Sequence, residues 1–521
     1  MDGSGAGKSA SYVIPNACQQ LGSYVFTDPK GELYDQTAGF LREKGYKIKV
    51  LNLVRPEKSD GYNPLHHIRN QIDVDIIANT IVKGQKDAAS SSDPFWDDMA
   101  EMLLKSLIYY LREVRPPEEQ NLASCAELVR AANNNGGDNL LSNLINQLPH
   151  QHPARTNYRS IEVSSDKTYG SILSSLQSKL GKFDSKAIAE LTSTNTIDFE
   201  EIGKEKTALY VISSDTHAAY DFLLTIFFSQ MIQRLYDFAD ECCGELPVQT
   251  FFILDEFANI GKIPDFDKKI STSRSRKISF SVILQNLDQL EAVYKESHET
   301  ILGNCDTHVF LGSNSQKTVE YFSKALGEKT IFRESESINK DRNDWKQGKS
   351  VSEQNMARAL LTPDELRRLD VNQCIIYEKG LKPIRAQKYY YFNHPTEKQI
   401  RPFRLDHNDR EVTDRGKWRT YNPYNPYEEK RENTEPTKIE SLDDLFADNE
   451  PKKEENPKEE KNNNNVQPIL DLSSLDMPPE LPMEPVEEPK VEPQTTQEKL
   501  DLQKEMEAKF DELFGTLNDI D

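Results

Sequence analysis

Short apolar runs alternate with amphipathic segments at the start of the chain. Residues 22–28 and 46–53 are apolar runs of strand length, and residues 32–44 between them have helical spacing. A strand, a helix and a second strand in succession predict a parallel sheet with helices on both faces. The first part of the chain is therefore predicted to be an α/β structure.

A long helical region follows this α/β segment. Residues 94–114 are amphipathic, begin at a proline and stop before Pro116 and Pro117, so they predict a helix. Residues 118–190 contain several segments with helical spacing and no convincing strand. We interpret residues 116–195 as an all-helical insertion.

Apolar strands return after the helical region. A strongly apolar helix is predicted at 221–239, and residues 374–392 predict a terminal hairpin or edge strands. The predicted strands lie at 207–213, 249–256, 280–285 and 307–312, with helices between them. The α/β pattern thus resumes and continues to about residue 394.

The composition changes at about residue 395. Repeated Pro, Glu, Lys and Asn replace the apolar pattern, and residues 428–521 hold 28 acidic and 11 basic residues within a total net charge of −22. We predict a disordered acidic tail over 395–521. Residues 496–517 have helical spacing, which fits either a short docking helix or a partly helical solvated end. The tail could recruit basic partners, repel DNA or only solvate the protein.

The cysteines and the hydropathy limit the class of protein. Six cysteines are scattered without a zinc-binding spacing, and the adjacent Cys242 and Cys243 are too cramped for a simple bridge, so we interpret them as reduced thiols of a cytosolic protein. No run of 18 apolar residues is present in the sequence. The mean hydropathy of −0.71 agrees with a chain that is unfolded in part.

The strongest chemical signal is a glycine-rich loop at the start of the chain. Its residues are Gly3, Ser4, Gly5, Ala6, Gly7, Lys8 and Ser9. Glycines let backbone N–H groups curl around phosphate oxygens, Lys8 would reach the β- and γ-phosphates, and Ser9 would ligate Mg²⁺. The alternative is a flexible glycine-rich terminus, which the helical pattern after Ser9 disfavours. The loop therefore predicts a site for ATP and Mg²⁺.

The loop departs from the usual pattern in two ways. Asp2 stands where the first glycine is expected, and the strand that normally leads into such a loop is not part of this sequence. That strand normally lies in the middle of the sheet. We therefore expect that the sequence lacks an N-terminal part, and that residues 1–521 alone have weak ATPase activity.

A second signal lies at the end of the apolar strand 249–256. Asp255 and Glu256 follow the apolar run directly, as expected for a carboxylate that holds Mg²⁺ beside a general base that polarises the attacking water. An apolar strand that ends in two acids is common, and alone it is as often structural. Together with the glycine-rich loop it predicts an ATPase, with Asp255 and Ser9 at the metal and Glu256 as base.

A third signal surrounds the next strand. Gln285 ends the strand 280–285, which suits a residue that senses the γ-phosphate or orients water. Arg274 precedes the strand and suits an arginine finger that reaches a neighbouring subunit's nucleotide. The basic run 274–277 also fits a solvated turn, or a loop that contacts DNA phosphates in a central pore.

Several of these segments resemble one family. TDPKGE, DGYNPL, FILDEFANIGKIPDF, SRSRKISFSVILQNLDQLEAVY and ILGNCDTHVFLGSN, in this order with SGAGKS, resemble type IV coupling proteins, the TraG-type ATPases of conjugative DNA transfer. The resemblance covers about residues 3–392. Lys8, Ser9, Asp255 and Glu256 match the family's nucleotide-site motifs, Arg274 its proposed arginine finger, and Gln285 its motif glutamine. Asp28 and Lys30 of TDPKGE have no evident chemistry and would brace the sheet edge.

The resemblance implies a fold and a function. The fold would be a RecA-like P-loop NTPase with a mostly parallel sheet, formed by residues 1–115 and 196–394, that assembles as a ring hexamer. The function would be to recruit relaxase-bound single-stranded DNA to a type IV secretion channel, on the cytoplasmic face of a membrane to which an N-terminal anchor holds the full-length protein. Two alternatives remain: a DNA translocase of the FtsK/HerA type, and a non-catalytic substrate receptor.

Overall fold

The computed structural model describes residues 7–84, 94–133, 140–214, 218–339, 348–412 and 414–423. These residues belong to one compact unit that spans residues 1–435. The acidic segment 428–521 and its predicted terminal helix lie outside the described residues, as do Gly3, Ser4, Gly5 and Ala6 of the glycine-rich loop.

A parallel sheet of five strands, in the order β2-β3-β1-β4-β5, forms the centre of the fold. The strands are β1 (Ser23–Thr27), β2 (Lys47–Asn52), β3 (Thr207–Ile212), β4 (Thr250–Leu254) and β5 (Ile278–Val282). Every residue of β1 and β3 is buried, as expected for inner strands with both faces covered. The predicted parallel α/β sheet is confirmed.

Helices cover both faces of this sheet because its side chains alternate between two apolar clusters. Tyr24 and Phe26 of β1 pack in one cluster with α1 (Ile14–Ala17) and α2 (Glu32–Glu43). Val25 packs in the other cluster with α3 (Gln71–Lys83) and α4 (Pro94–Val114). The helices predicted at 32–44 and 94–114 are therefore present.

Helices dominate the middle of the chain. The helices after α4 are α5 (Leu122–Asn133), α6 (Leu140–Ile145), α7 (Pro153–Glu162), α8 (Asp166–Leu180), α9 (Lys186–Ser193), α10 (Phe199–Lys204) and α11 (Asp221–Glu241). The strand β3 lies among them, between α10 and α11. One continuous apolar cluster contains Leu128 and Leu176 of these helices and Phe252 of the sheet. The helical region thus packs on the sheet, and its limits as a separate insertion at 116–195 stay a prediction.

A second, antiparallel sheet follows the first. Its order is β10-β9-β6, from β6 (Thr307–Phe310), β9 (Gln373–Glu378) and β10 (Ile384–Gln387). The helices between β4 and β9 are α12 (Phe266–Thr272), α13 (Leu287–Val293), α14 (His298–Gly303), α15 (Gln316–Leu326) and α16 (Pro363–Arg367). The hairpin predicted at 374–392 is confirmed. The strand predicted at 307–312 forms, but it pairs with β9 and does not extend the parallel sheet.

A long hairpin between these elements has no counterpart in the sequence-based prediction. It consists of β7 (Glu328–Asn339) and β8 (Gly348–Ala359), which pair antiparallel along their whole length. Their sequences, EKTIFRESESIN and GKSVSEQNMARA, carry few apolar residues and no regular alternation. Pattern analysis depends on an apolar face, so these strands give no signal.

The folded body extends past residue 395, where the disordered tail was predicted to start. Residues 395–412 and 414–423, which we call the C-terminal strap, begin with α17 (Thr396–Ile400), and Ile400 is fully buried. Arg410 donates to the Asp60 carboxylate over 2.7 Å. The strap is rich in charged residues, so its composition resembles a solvated tail, although Arg410 and Arg415 pair with carboxylates of the body.

None of the helices formed by the described residues combines the length and apolarity that a membrane crossing requires.

Candidate nucleotide site

The described part of the glycine-rich loop leads directly into a helix. Gly7 has a φ of +72°, in the left-handed region that glycine adopts without a steric penalty. Lys8 precedes a π-helical turn over Ser9–Val13, which continues into α1. Backbone N–H groups at the start of a helix face outward without partners, which favours an anion there.

The two acids after β4 meet this loop. Asp255 is buried and accepts a hydrogen bond from the Ser9 hydroxyl over 3.2 Å. Glu256 accepts a hydrogen bond from the Lys8 ammonium over 2.7 Å. The two predicted motifs are therefore in contact, although almost 250 residues separate them.

Glu256 has an uncommon backbone conformation. Its φ is +50°, in the left-handed region that side chains other than glycine rarely adopt. Glu256 lies two residues after the end of β4. Strained backbone of this kind is often found at functional sites, where the surrounding structure holds it in place.

Gln285 joins the same cluster from the loop after β5, because this strand ends at Val282 and not at Gln285 as predicted. Its side-chain amide donates to the Glu256 carboxylate over 3.1 Å. Because β4 and β5 are parallel and paired, the residues that follow them lie at one edge of the sheet. The structure thus brings together Lys8, Ser9, Asp255, Glu256 and Gln285.

Burial and charge oppose each other at this edge. Burial raises the pKa of the Asp255 carboxyl, and the Glu256 charge adds to this effect, whereas the Lys8 ammonium lowers the pKa. The Lys8 nitrogen lies 3.9 Å from Asp255 and 2.7 Å from Glu256. One lysine thus faces two carboxylates, and a cation added beside Asp255 would be electrostatically favoured.

Arg274 lies apart from the cluster. It belongs to a short turn before β5, at the opposite end of that strand from Gln285. Its guanidinium is exposed and makes no hydrogen bond or ion pair with the part of the chain that the structure describes. By contrast, Arg276 donates to Asp240 through two nitrogens and lies over the Tyr236 ring.

A cavity of about 780 Å³ separates the two sheets beside the cluster. Residues 279–287 after and within β5 line one side, and residues 305–313 around β6 line the other. Lys8, Arg274 and Gln285 all contribute to its wall.

The TDPKGE segment supports the site from β1. The Thr27 hydroxyl donates to the Asp255 backbone carbonyl over 2.7 Å, which fixes the end of β4. The Asp28 carboxylate accepts the Tyr34 N–H at the start of α2. Burial raises the pKa of Asp28 to about 6. The sequence analysis did not include Thr27 among the site residues. Its position at the end of a buried strand, one residue before Asp28, was the signal in the sequence that could have identified it.

The cluster contains the groups needed for phosphate chemistry. Lys8 is a cation for phosphate oxygens, Ser9 and Asp255 are adjacent oxygen donors of the kind that Mg²⁺ prefers, and Glu256 is a carboxylate that can accept a proton.

The chain is similar to proteins of conjugative DNA transfer. The family model described as "Type IV secretory system Conjugative DNA transfer" matches residues 1–415. A VirD4 protein of Rhizobium radiobacter is 25% identical over 419 residues, which cover 76% of this chain and 57% of that protein. A conjugal transfer protein TraG of Escherichia coli is 25% identical over 426 residues, which cover 75% of this chain and 66% of that protein. The chain therefore spans less than two thirds of either relative.

Solved structures of the conjugative coupling protein TrwB have the same fold. The unbound form superposes with a TM-score of 0.53 at 16% identity, over 74% of this chain and 82% of that one. The complex of TrwB with ADP and Mg²⁺ gives the same TM-score over 84% of its chain. At this identity the likeness shows the fold alone.

Proposed function

Because the chain belongs to the type IV secretory system conjugative DNA transfer family, we propose that it is an ATP-driven coupling protein. It would recruit relaxase-bound single-stranded DNA and move it to a type IV secretion channel. The observation that carries the proposal is the contact of Lys8 and Ser9 with Asp255 and Glu256 at one edge of the sheet. Nucleotide-dependent transport requires these groups in one place.

The proposed ligands are ATP and Mg²⁺. Ser9 and Asp255 would hold the metal ion, since their oxygens already lie within hydrogen-bonding distance of each other. Bound Mg²⁺ would supply positive charge that neutralises the phosphates. The relative TrwB has been solved with a non-hydrolysable ATP analogue and with ADP and Mg²⁺, which supports this assignment.

The proposed chemistry begins with a change of partner. Lys8 would leave Glu256 and bind the β- and γ-phosphates, which frees the carboxylate. Glu256 would then take a proton from the attacking water while Gln285 orients that water or senses the γ-phosphate.

Arg274 would act on the nucleotide of a neighbouring subunit in a ring hexamer. The exposed guanidinium, without a partner in the described chain, supports this role, because a finger must be free to cross an interface. Hydrolysis would then depend on assembly. Residues 1–115 and 196–394 would form the nucleotide-binding domain, residues 116–195 the helical insertion, and the full-length protein would act at the cytoplasmic face of a membrane.

A mixing experiment tests the proposal. Lys8→Ala should bind no nucleotide but keep its arginine, and Arg274→Ala should bind nucleotide but lack the finger. Each variant alone should be inactive, and a mixture should recover part of the ATPase activity of residues 1–521 with single-stranded DNA present. Arg276→Ala keeps Lys8 and Arg274 and loses only an arginine that is paired with Asp240, so this matched control should be active on its own. A chain that binds relaxase but neither binds nor hydrolyses ATP would instead be a non-catalytic receptor.

A further inference from the structure

An aromatic segment from the second sheet lies against the glycine-rich loop. Residues 389–392 read Tyr-Tyr-Tyr-Phe and follow β10. The preceding Lys388 is buried, and its ammonium donates to the Leu311 carbonyl over 2.7 Å. Its backbone N–H donates to the Asn372 carbonyl over 2.7 Å. The segment is thus fixed to the second sheet at its start.

One ring of this segment covers the loop itself. A Cβ atom built on Gly7 would lie 2.7 Å from a ring carbon of Tyr390, which is closer than real Cβ contacts. The Tyr390 hydroxyl is anchored on the Val371 carbonyl over 3.3 Å. The Tyr390 ring therefore rests on the backbone of the loop that would hold the phosphates.

A second ring extends this surface into solvent. Phe392 stacks on Tyr390, with 5.2 Å between ring centroids and 22° between ring planes. The Phe392 side chain is 52% exposed. The pair thus presents one aromatic face to solvent.

The other two rings have partners of their own. Tyr391 packs against the apolar cluster that contains α1 and α2. Tyr389 stacks on His394, with ring centroids 3.6 Å apart. Tyr390 and Phe392 are thus the pair that connects the loop with an exposed aromatic face.

We propose that the purine base of the bound nucleotide stacks on the Tyr390–Phe392 pair. The inference rests on the proposed nucleotide site. The phosphates would be held at Gly7–Ser9, and only one ribose separates the base from them, so the base lies close to the ring that covers Gly7. Aromatic faces bind bases by stacking, a contact that contributes to affinity without reading the base edge.

Competition between ATP and inorganic tripolyphosphate tests this proposal on the full chain. Tripolyphosphate has the phosphates but no base, so both ligands should need Lys8 and only ATP should need the rings. Phe392→Leu keeps apolar volume but removes the aromatic face, and should weaken ATP binding about tenfold while tripolyphosphate binding is unchanged. Phe392→Trp should retain the preference for ATP. The matched control is Phe332→Ala, which removes a 73% exposed ring from β7 and should leave the binding of both ligands unchanged.

The outcomes separate this inference from the proposed site. If the wild type binds both ligands and Phe392→Leu keeps the full preference for ATP, the stacking proposal is overturned and the phosphate site stands. If the wild type binds neither ligand, the proposed nucleotide site fails and the stacking proposal fails with it. Equal loss of both ligands in Phe392→Leu would show a structural effect on the loop and would also overturn stacking.

Discussion

Glu256→Gln should slow ATP hydrolysis and at the same time tighten ATP binding. The substitution removes the proposed base, so the rate should fall by about 10²–10⁴. It also removes the charge that holds the Lys8 ammonium at 2.7 Å. ATP must break this pair before Lys8 reaches the phosphates, and a glutamine competes for the ammonium less strongly than a carboxylate.

The expected gain in affinity follows from the surroundings of the pair. Lys8 and Glu256 expose 11% and 17% of their side chains, so the contact is only partly screened by water. A hydrogen bond between charged groups of this kind contributes about 1.5–3 kcal/mol. Part of that energy is retained because the amide oxygen of the substituted side chain would still accept a hydrogen bond, so we expect about tenfold tighter ATP binding.

Two measurements check this prediction. Fluorescent-nucleotide titration gives the dissociation constant, and steady-state phosphate release gives the rate. Gln285→Ala is the control for affinity alone: it removes the other hydrogen bond to Glu256, over 3.1 Å, and leaves the Lys8 pair intact, so it should not tighten ATP binding. Normal turnover in Glu256→Gln would refute the assignment of the base. Unchanged or weaker ATP binding would refute the competition between Glu256 and the phosphates.

Three further predictions concern the support of the site. Burial raises the pKa of Asp28 from an ordinary 3.8 to about 6. The neutral Asp28 carboxyl therefore contributes stability that is fully present below the pKa of the unfolded chain and is lost as the pH rises through about 6. Between about pH 4.5 and about pH 7.5, the wild type should lose about 2 kcal/mol of unfolding free energy relative to Asp28→Asn. Urea titrations at both pH values would measure this loss. Asp198→Asn, at an exposed helix cap, is the control for the effect of losing a cap. The same difference in unfolding free energy between wild type and Asp28→Asn at both pH values would contradict the prediction. Gly7→Ala should lower ATP affinity about tenfold because its Cβ would collide with the Tyr390 ring. The control Gly45→Ala has a φ of +83° and open space around the added Cβ, so it should change only the stability. Equal ATP affinity in both variants would argue against the contact between Gly7 and Tyr390. Ile400→Ala should lower the unfolding free energy by about 2–5 kcal/mol because Ile400 is fully buried. The control Val371→Ala, at a side chain that is 66% exposed, should have almost no effect in thermal unfolding. An unchanged stability in Ile400→Ala would show that the strap does not belong to the folded body.

The residues predicted from short motifs meet in the structure. Lys8 and Ser9, and also Asp255 and Glu256, stand in contiguous patterns whose chemistry is local, so each half could be recognised without knowing the other. Their contact then follows from the parallel sheet, because strands in such a sheet present their carboxyl ends at one edge. The sheet was predicted from apolar runs, which is the signal that buried strands give.

Other features depend on contacts between distant residues. Arg410 pairs with Asp60 across 350 positions, so the strap cannot be distinguished from a solvated tail by composition. Tyr390 meets Gly7 only because β9 and β10 bring it there. The hairpin of β7 and β8 has a polar sequence, and its pairing is made by backbone groups that every residue carries.

The cavity between the two sheets has a further consequence for the architecture. β5 is the last strand of the parallel sheet and β6 the last of the antiparallel one, so within the described chain each has one edge without a strand partner. Both strands line the cavity, which also contains Lys8 in its wall. An extended segment that entered it would hydrogen-bond to a strand on either side and join both sheets into one.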